Sequence, residues 1–82
     1  RRAAPPRGPV SRTLSYRQRR ELDQLGAALP QLEARRAELE SALRGAAGDY
    51  ESAQRLGAEL AGLLVEIDHA ETRWLELSEI DG

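Results

Sequence analysis

Apolar positions recur along this chain in two long stripes. In the second half, Ala53, Leu56, Leu60, Leu63, Ile67, Ala70, Trp74 and Leu77 follow one another at alternating steps of three and four, the period of a coiled-coil seam. In the first half, Leu22, Leu25, Leu29, Leu32, Arg36, Leu39 and Leu43 keep the same step. Neither stripe is stable alone in water, and the segment between them is short. Gly45, Ala46, Ala47 and Gly48 supply a turn, and Asp49 is placed to cap the helix that follows. The pattern predicts an all-α fold, an antiparallel two-helix coiled-coil hairpin. Two registers satisfy it. In one, Leu39 faces Leu56 and Leu22 faces Trp74; in the other, Leu22 meets Leu77 and Leu25 meets Trp74.

Local signals set the expected boundaries. Ser15 and Gln18 have the spacing of a capping box, which starts a helix at Tyr16. Gly26 and Pro30 interrupt the first stripe, and a proline inside a helix removes one donor and crowds the carbonyl four residues back. The first arm is therefore expected to be kinked or broken near Pro30, giving helices at about 15–29, 30–44 and 50–78 within a hairpin domain at 14–80. The stripe keeps its phase across Pro30, which favours a kink over a long loop. Arg36 occupies a seam position, where its stem can lie on the seam while its head reaches Glu33, Glu40 or an acid of the facing helix. Such a polar seam residue fixes register. Leu64 flanks the second stripe, and Val65 and Leu75 point away from it.

Composition agrees with long helices. Charged residues make up 32% of the 82 positions, aromatic residues 4%, and there is no Phe, Met or Cys, so the chain has little material for a large globular core. The missing Met reads as an excised domain or a processed tail. Without Cys there is neither a disulfide nor a thiolate metal site, which fits a cytoplasmic setting. No apolar run is long enough to span a membrane.

The net charge of −2 conceals a strong polarity. Residues 1–20 carry seven arginines and no acid, +7, whereas residues 21–82 carry five arginines against fourteen acids, −9. Residues 1–13, with Pro5, Pro6, Gly8 and Pro9 among the arginines, read as a disordered or extended basic linker. Charge asymmetry of this kind points to nucleic acid, an acidic partner or a membrane surface; a solvated Arg-rich linker explains it equally simply. Arg17, Arg19 and Arg20 raise the same choice within the helix. Cations at a helix start oppose the dipole. Either an anionic partner lies across them, or Glu21 and Asp23 neutralise them at spacings of three and four.

No catalytic constellation is visible. His69 is the only histidine and sits off the seam beside Asp68 and Glu71, a poor metal set, and none of the serines has a base placed for it. The turn lacks the Lys and Ser/Thr of a phosphate-binding loop. A binding or structural module is expected, not an enzyme, with no cofactor and no metal.

Two segments, TLSYRQRRELDQL from Thr13 to Leu25 followed by Leu29-Pro30, and AETRWLEL from Ala70 to Leu77, carry a family resemblance. Together they resemble the C-terminal coiled-coil domain of ABC-F type ATPases of the Uup group: a basic linker, Leu-Ser-Tyr, a basic helix with Glu-Leu, a Leu-Pro break, and a closing acidic helix with Arg-Trp. The compact RGAAGDYES turn departs from that family's longer Asp-, Pro- and Tyr-rich tip, keeping only Asp49 and Tyr50. The resemblance implies a cytoplasmic parent with two ATP-binding cassettes, of a class linked to ribosomes and translation, whose C-terminal domain is associated with binding DNA, including branched DNA. On that basis Arg7, Arg12, Arg17, Arg19 and Arg20 are expected to contact phosphate and Tyr16 to stack, by backbone and shape rather than by sequence. RNA or the ribosome, and the parent's own ATPase domains, are further partners it implies, with the isolated domain a monomer. The alternative function is a structural coiled coil docking on those ATPase domains or on the ribosome. A tRNA-contacting hairpin has the right shape and the wrong charge.

Overall fold

The computed structural model describes residues 13–81. Two helices, α1 (Tyr16–Gly45) and α2 (Tyr50–Asp81), are joined by a short turn and pack against each other as a hairpin. At about 1.5 Å per residue they are roughly 45 and 48 Å long. Ser15 starts α1 as its pattern predicts: its hydroxyl accepts from the Gln18 amide at 3.1 Å, and its own amide donates to the Gln18 side-chain oxygen at 3.0 Å. Asp49 starts α2 in the same manner, one carboxylate oxygen accepting from the Ser52 amide at 3.1 Å and the other from the Ser52 hydroxyl at 2.7 Å. Between the helices the Asp49 amide donates to the Ala46 carbonyl, which closes the turn over 46–48.

The two stripes form the interface. Leu39, Leu63 and Ile67 are buried together, with Leu32, Leu56 and Leu60 packed on them, and Leu77 is completely buried toward the open end of the hairpin. Trp74, on the seam by spacing, is 37% exposed and lies over Gly26: its indole nitrogen is 4.0 Å from the point a Cβ there would occupy. Arg36 reaches Glu33 at 2.7 Å, so its charge leaves the seam sideways along its own helix.

Among the described residues, two ion pairs between the helices share one register. Arg73 meets Glu21 and Arg35 meets Glu59, both at 2.8 Å. From Glu21 to Arg35 the chain advances by two heptads, and from Arg73 to Glu59 it retreats by the same two, so both pairs belong to one antiparallel alignment. By these side chains the alignment is nearest the one placing Leu39 opposite Leu56, while the Trp74 ring reaches along the seam to Gly26, next to the Leu25 that the other alignment gives it.

The first arm is one helix rather than two, with Pro30 inside it. Pro30 is exposed, on the side away from the seam, while Leu29 and Leu32 are half-buried. The carbonyl that its ring crowds belongs to Gly26, where the backbone is free to yield and is exposed to water. Packing on α2 holds the two sides in phase. Pro30→Ala restores the missing donor without disturbing any seam residue. It is expected to stabilise the hairpin by about 2 kcal/mol, the helix penalty of proline less its benefit in restricting the unfolded chain. Urea unfolding followed by circular dichroism measures this.

Candidate nucleic-acid interface

The capping box decides where the first arginines stand. With α1 fixed to begin at Tyr16, successive residues turn by about 100°, which spreads Tyr16, Arg17, Arg19 and Arg20 over an arc of roughly 160°. Leu22 and Leu25, half-buried, lie on the opposite side of the helix, against α2. All four residues of the arc are exposed, Tyr16 at 76%, and the Arg20 guanidinium donates to the Tyr16 hydroxyl at 3.4 Å. An aromatic ring and three guanidinium groups therefore share one outward face. Arg7 and Arg12, expected to extend it, lie outside the described residues.

Glu21 does not serve as the counter-charge of this face. Arg73 binds it through two parallel bonds, Nε to Oε2 at 2.8 Å and Nη2 to Oε1 at 3.0 Å, and donates a third from Nη1 to Glu76 at 3.1 Å. The fork geometry is that of a bidentate guanidinium–carboxylate pair. The hydrogen bonds and charge of Arg73 hold the Glu21 carboxyl below the usual carboxylate range, and Glu21, then Glu76, raise the Arg73 pKa. Sequence reasoning passed over this clamp, although the flanking positions of both partners on complementary stripes are its signal. Its effect is to tie the opening of α1 to the closing turns of α2, the two segments that carry the resemblance.

The helix ends themselves are unusual. The first turn of α1 has no acid, and the last turn of α2 has no base. Each arrangement opposes its own dipole. In the antiparallel alignment these two ends are neighbours, so the arginines of α1 lie beside the acidic end of α2, and part of each penalty is offset across the hairpin.

Asp49 at the far end is also held below the usual carboxylate range, first by the Ser52 hydroxyl and then by the Ser52 amide. For both Glu21 and Asp49 the folded state favours the ionised form. Their contribution is present above the unfolded-state carboxylate pKa and is lost as pH falls through the depressed folded-state values. The melting temperature is expected to fall on that acid side, and Glu21→Gln with Asp49→Asn to flatten the decline. Thermal melts across an acidic pH series check this.

Among the described residues no group of His, Cys, Asp or Glu is arranged to hold a metal ion, and no helix is long and apolar enough to cross a membrane. What the geometry offers is a rigid rod with a cationic, aromatic patch at its open end.

The family model described as "ABC transporter C-terminal domain" matches residues 13–79, from the residue that opens the described structure to within two residues of the end of α2. No curated protein and no solved structure matches the chain. The matched span holds the capping box, both stripes, the turn and the Arg73–Glu21 clamp, and the chain belongs to the ABC transporter C-terminal domain family.

Proposed function

We propose that this hairpin is a nucleic-acid-binding accessory domain of an ABC-F type ATPase of the Uup group, contacting phosphates through Tyr16, Arg17, Arg19 and Arg20 at the start of α1, with Arg7 and Arg12 extending the contact. One observation carries the reading: these arginines and the tyrosine occupy the exposed face opposite Leu22 and Leu25, while Glu21, one of the two carboxylates spaced to neutralise them, is engaged by Arg73. Guanidinium groups so placed bind phosphate by counterion release, and Tyr16 offers a ring for an unpaired base. With no helix placed to read base edges, recognition is of backbone and shape, and DNA with single-stranded or branched character is the expected ligand. Catalysis belongs to the parent's cassettes, in the cytoplasm. Fluorescence anisotropy with duplex DNA, forked DNA and structured RNA tests the reading. It requires binding at low salt, preference for the fork, and loss of binding when Arg17, Arg19 and Arg20 become Glu.

A second reading has its own observation. Leu64, Val65 and Leu75 stand exposed at 43, 56 and 55%. Such a surface supports docking of the hairpin on the parent's ATPase domains or on the ribosome.

A further inference from the structure

We propose that the outer face of α2 around Leu64, Val65 and Leu75 is a docking surface for a basic amphipathic helix of a partner protein. Leu64 and Leu75 are eleven residues apart, about three turns, and so lie on one line of the helix roughly 16 Å apart. Gly57, Ala61, Asp68 and Thr72 complete that line at steps of three and four, a second seam beside the one that α1 covers. α1 leaves it open: Leu64, Val65 and Leu75 are exposed, and so are Ala61, Asp68 and Thr72.

Charge selects the occupant. Asp68 lies one turn beyond Leu64, Glu71 one turn before Leu75 and Glu79 one turn after it. All three are exposed, and none is held by an ion pair among the described residues, unlike Glu21, Glu33, Glu38, Glu59 and Glu76. Two leucines about three turns apart with unmatched carboxylates between and beside them fit a helix that presents apolar anchors at the same interval and Lys or Arg around them. A second copy of this chain would bring like charges together across the contact. Nucleic acid and anionic lipid would be repelled by the same carboxylates.

The face uses none of the arginines of α1, so the proposal stands or falls independently of nucleic-acid binding. The probe is a synthetic amphipathic peptide of leucine and lysine about five turns long, titrated into the 82-residue chain and followed by isothermal calorimetry. Its control is the same peptide with glutamate in place of lysine. The lysine peptide is expected to bind and the glutamate peptide not to. Leu64→Ser with Leu75→Ser is expected to weaken binding by on the order of tenfold or more, with helicity retained by circular dichroism. Asp68→Lys with Glu71→Lys, which leaves the apolar line intact, is expected to weaken it comparably. Equal binding by the serine variant would reduce the contact to diffuse charge attraction and overturn the proposal. So would binding of the glutamate peptide, or sedimentation showing a dimer that the serine variant abolishes.

Discussion

Leu39→Ala is expected to lower the unfolding free energy by about 2–5 kcal/mol. Leu39 is 2% exposed and sits in a buried cluster of the seam with Leu63 and Ile67. Truncation removes its transfer energy and leaves a cavity between two helices that cannot close without shifting the register held by the ion pairs at Glu21 and Arg35. A single small core rarely supplies more than about 3–5 kcal/mol of net stability, so this one change is expected to leave a substantial fraction of the chain unfolded at room temperature. Leu64→Ala, on the exposed face of the same long hairpin, should change stability by less than about 0.5 kcal/mol. Urea titration of both variants by circular dichroism separates the two positions. Equal destabilisation would mean that Leu39 is not the centre of the core.

Charge reversal at Arg17, Arg19 and Arg20 is the second large effect. If each guanidinium meets a phosphate, replacing all three with Glu removes three charge-assisted contacts and adds three repulsions, and the expected loss in affinity is on the order of a hundredfold or more at low salt. The fold should survive. The three side chains are exposed, the capping box depends on Ser15 and Gln18, and acids near a helix start are favoured by the dipole. Helicity by circular dichroism is therefore expected to be retained while binding collapses, a combination that general unfolding cannot produce. Tyr16→Ala should weaken binding to the forked probe more than to the duplex, since stacking requires an unpaired base.

Much of the fold is legible in residue spacing because the forces that set it are local or periodic. The alternating steps of the two stripes identify the buried face of each helix, and Ser15, Gln18 and Asp49 mark the helix starts through bonds spanning only three residues. Arg36 escaping to Glu33 is likewise a matter of one turn. Pro30 is less legible, because its intrinsic penalty is local while the packing that overrides it comes from α2, and because Gly26 lies where the strain falls. The register depends on pairs far apart in sequence, Arg73 with Glu21 and Arg35 with Glu59, which no local pattern distinguishes from the neighbouring alternative. At the candidate site the arginines are plain in the sequence. Their outward direction follows only from where the helix starts, and the engagement of Glu21 by Arg73 follows only from the register.

The salt dependence of binding tests the functional account most directly. Anisotropy of a forked DNA probe across a salt series should give a linear fall of log K with log salt, and the variant with Arg17, Arg19 and Arg20 changed to Gln should show a slope shallower by about 2.7, at about 0.9 per lost phosphate contact. No binding of the fork at low salt, or the same slope in both proteins, would contradict it.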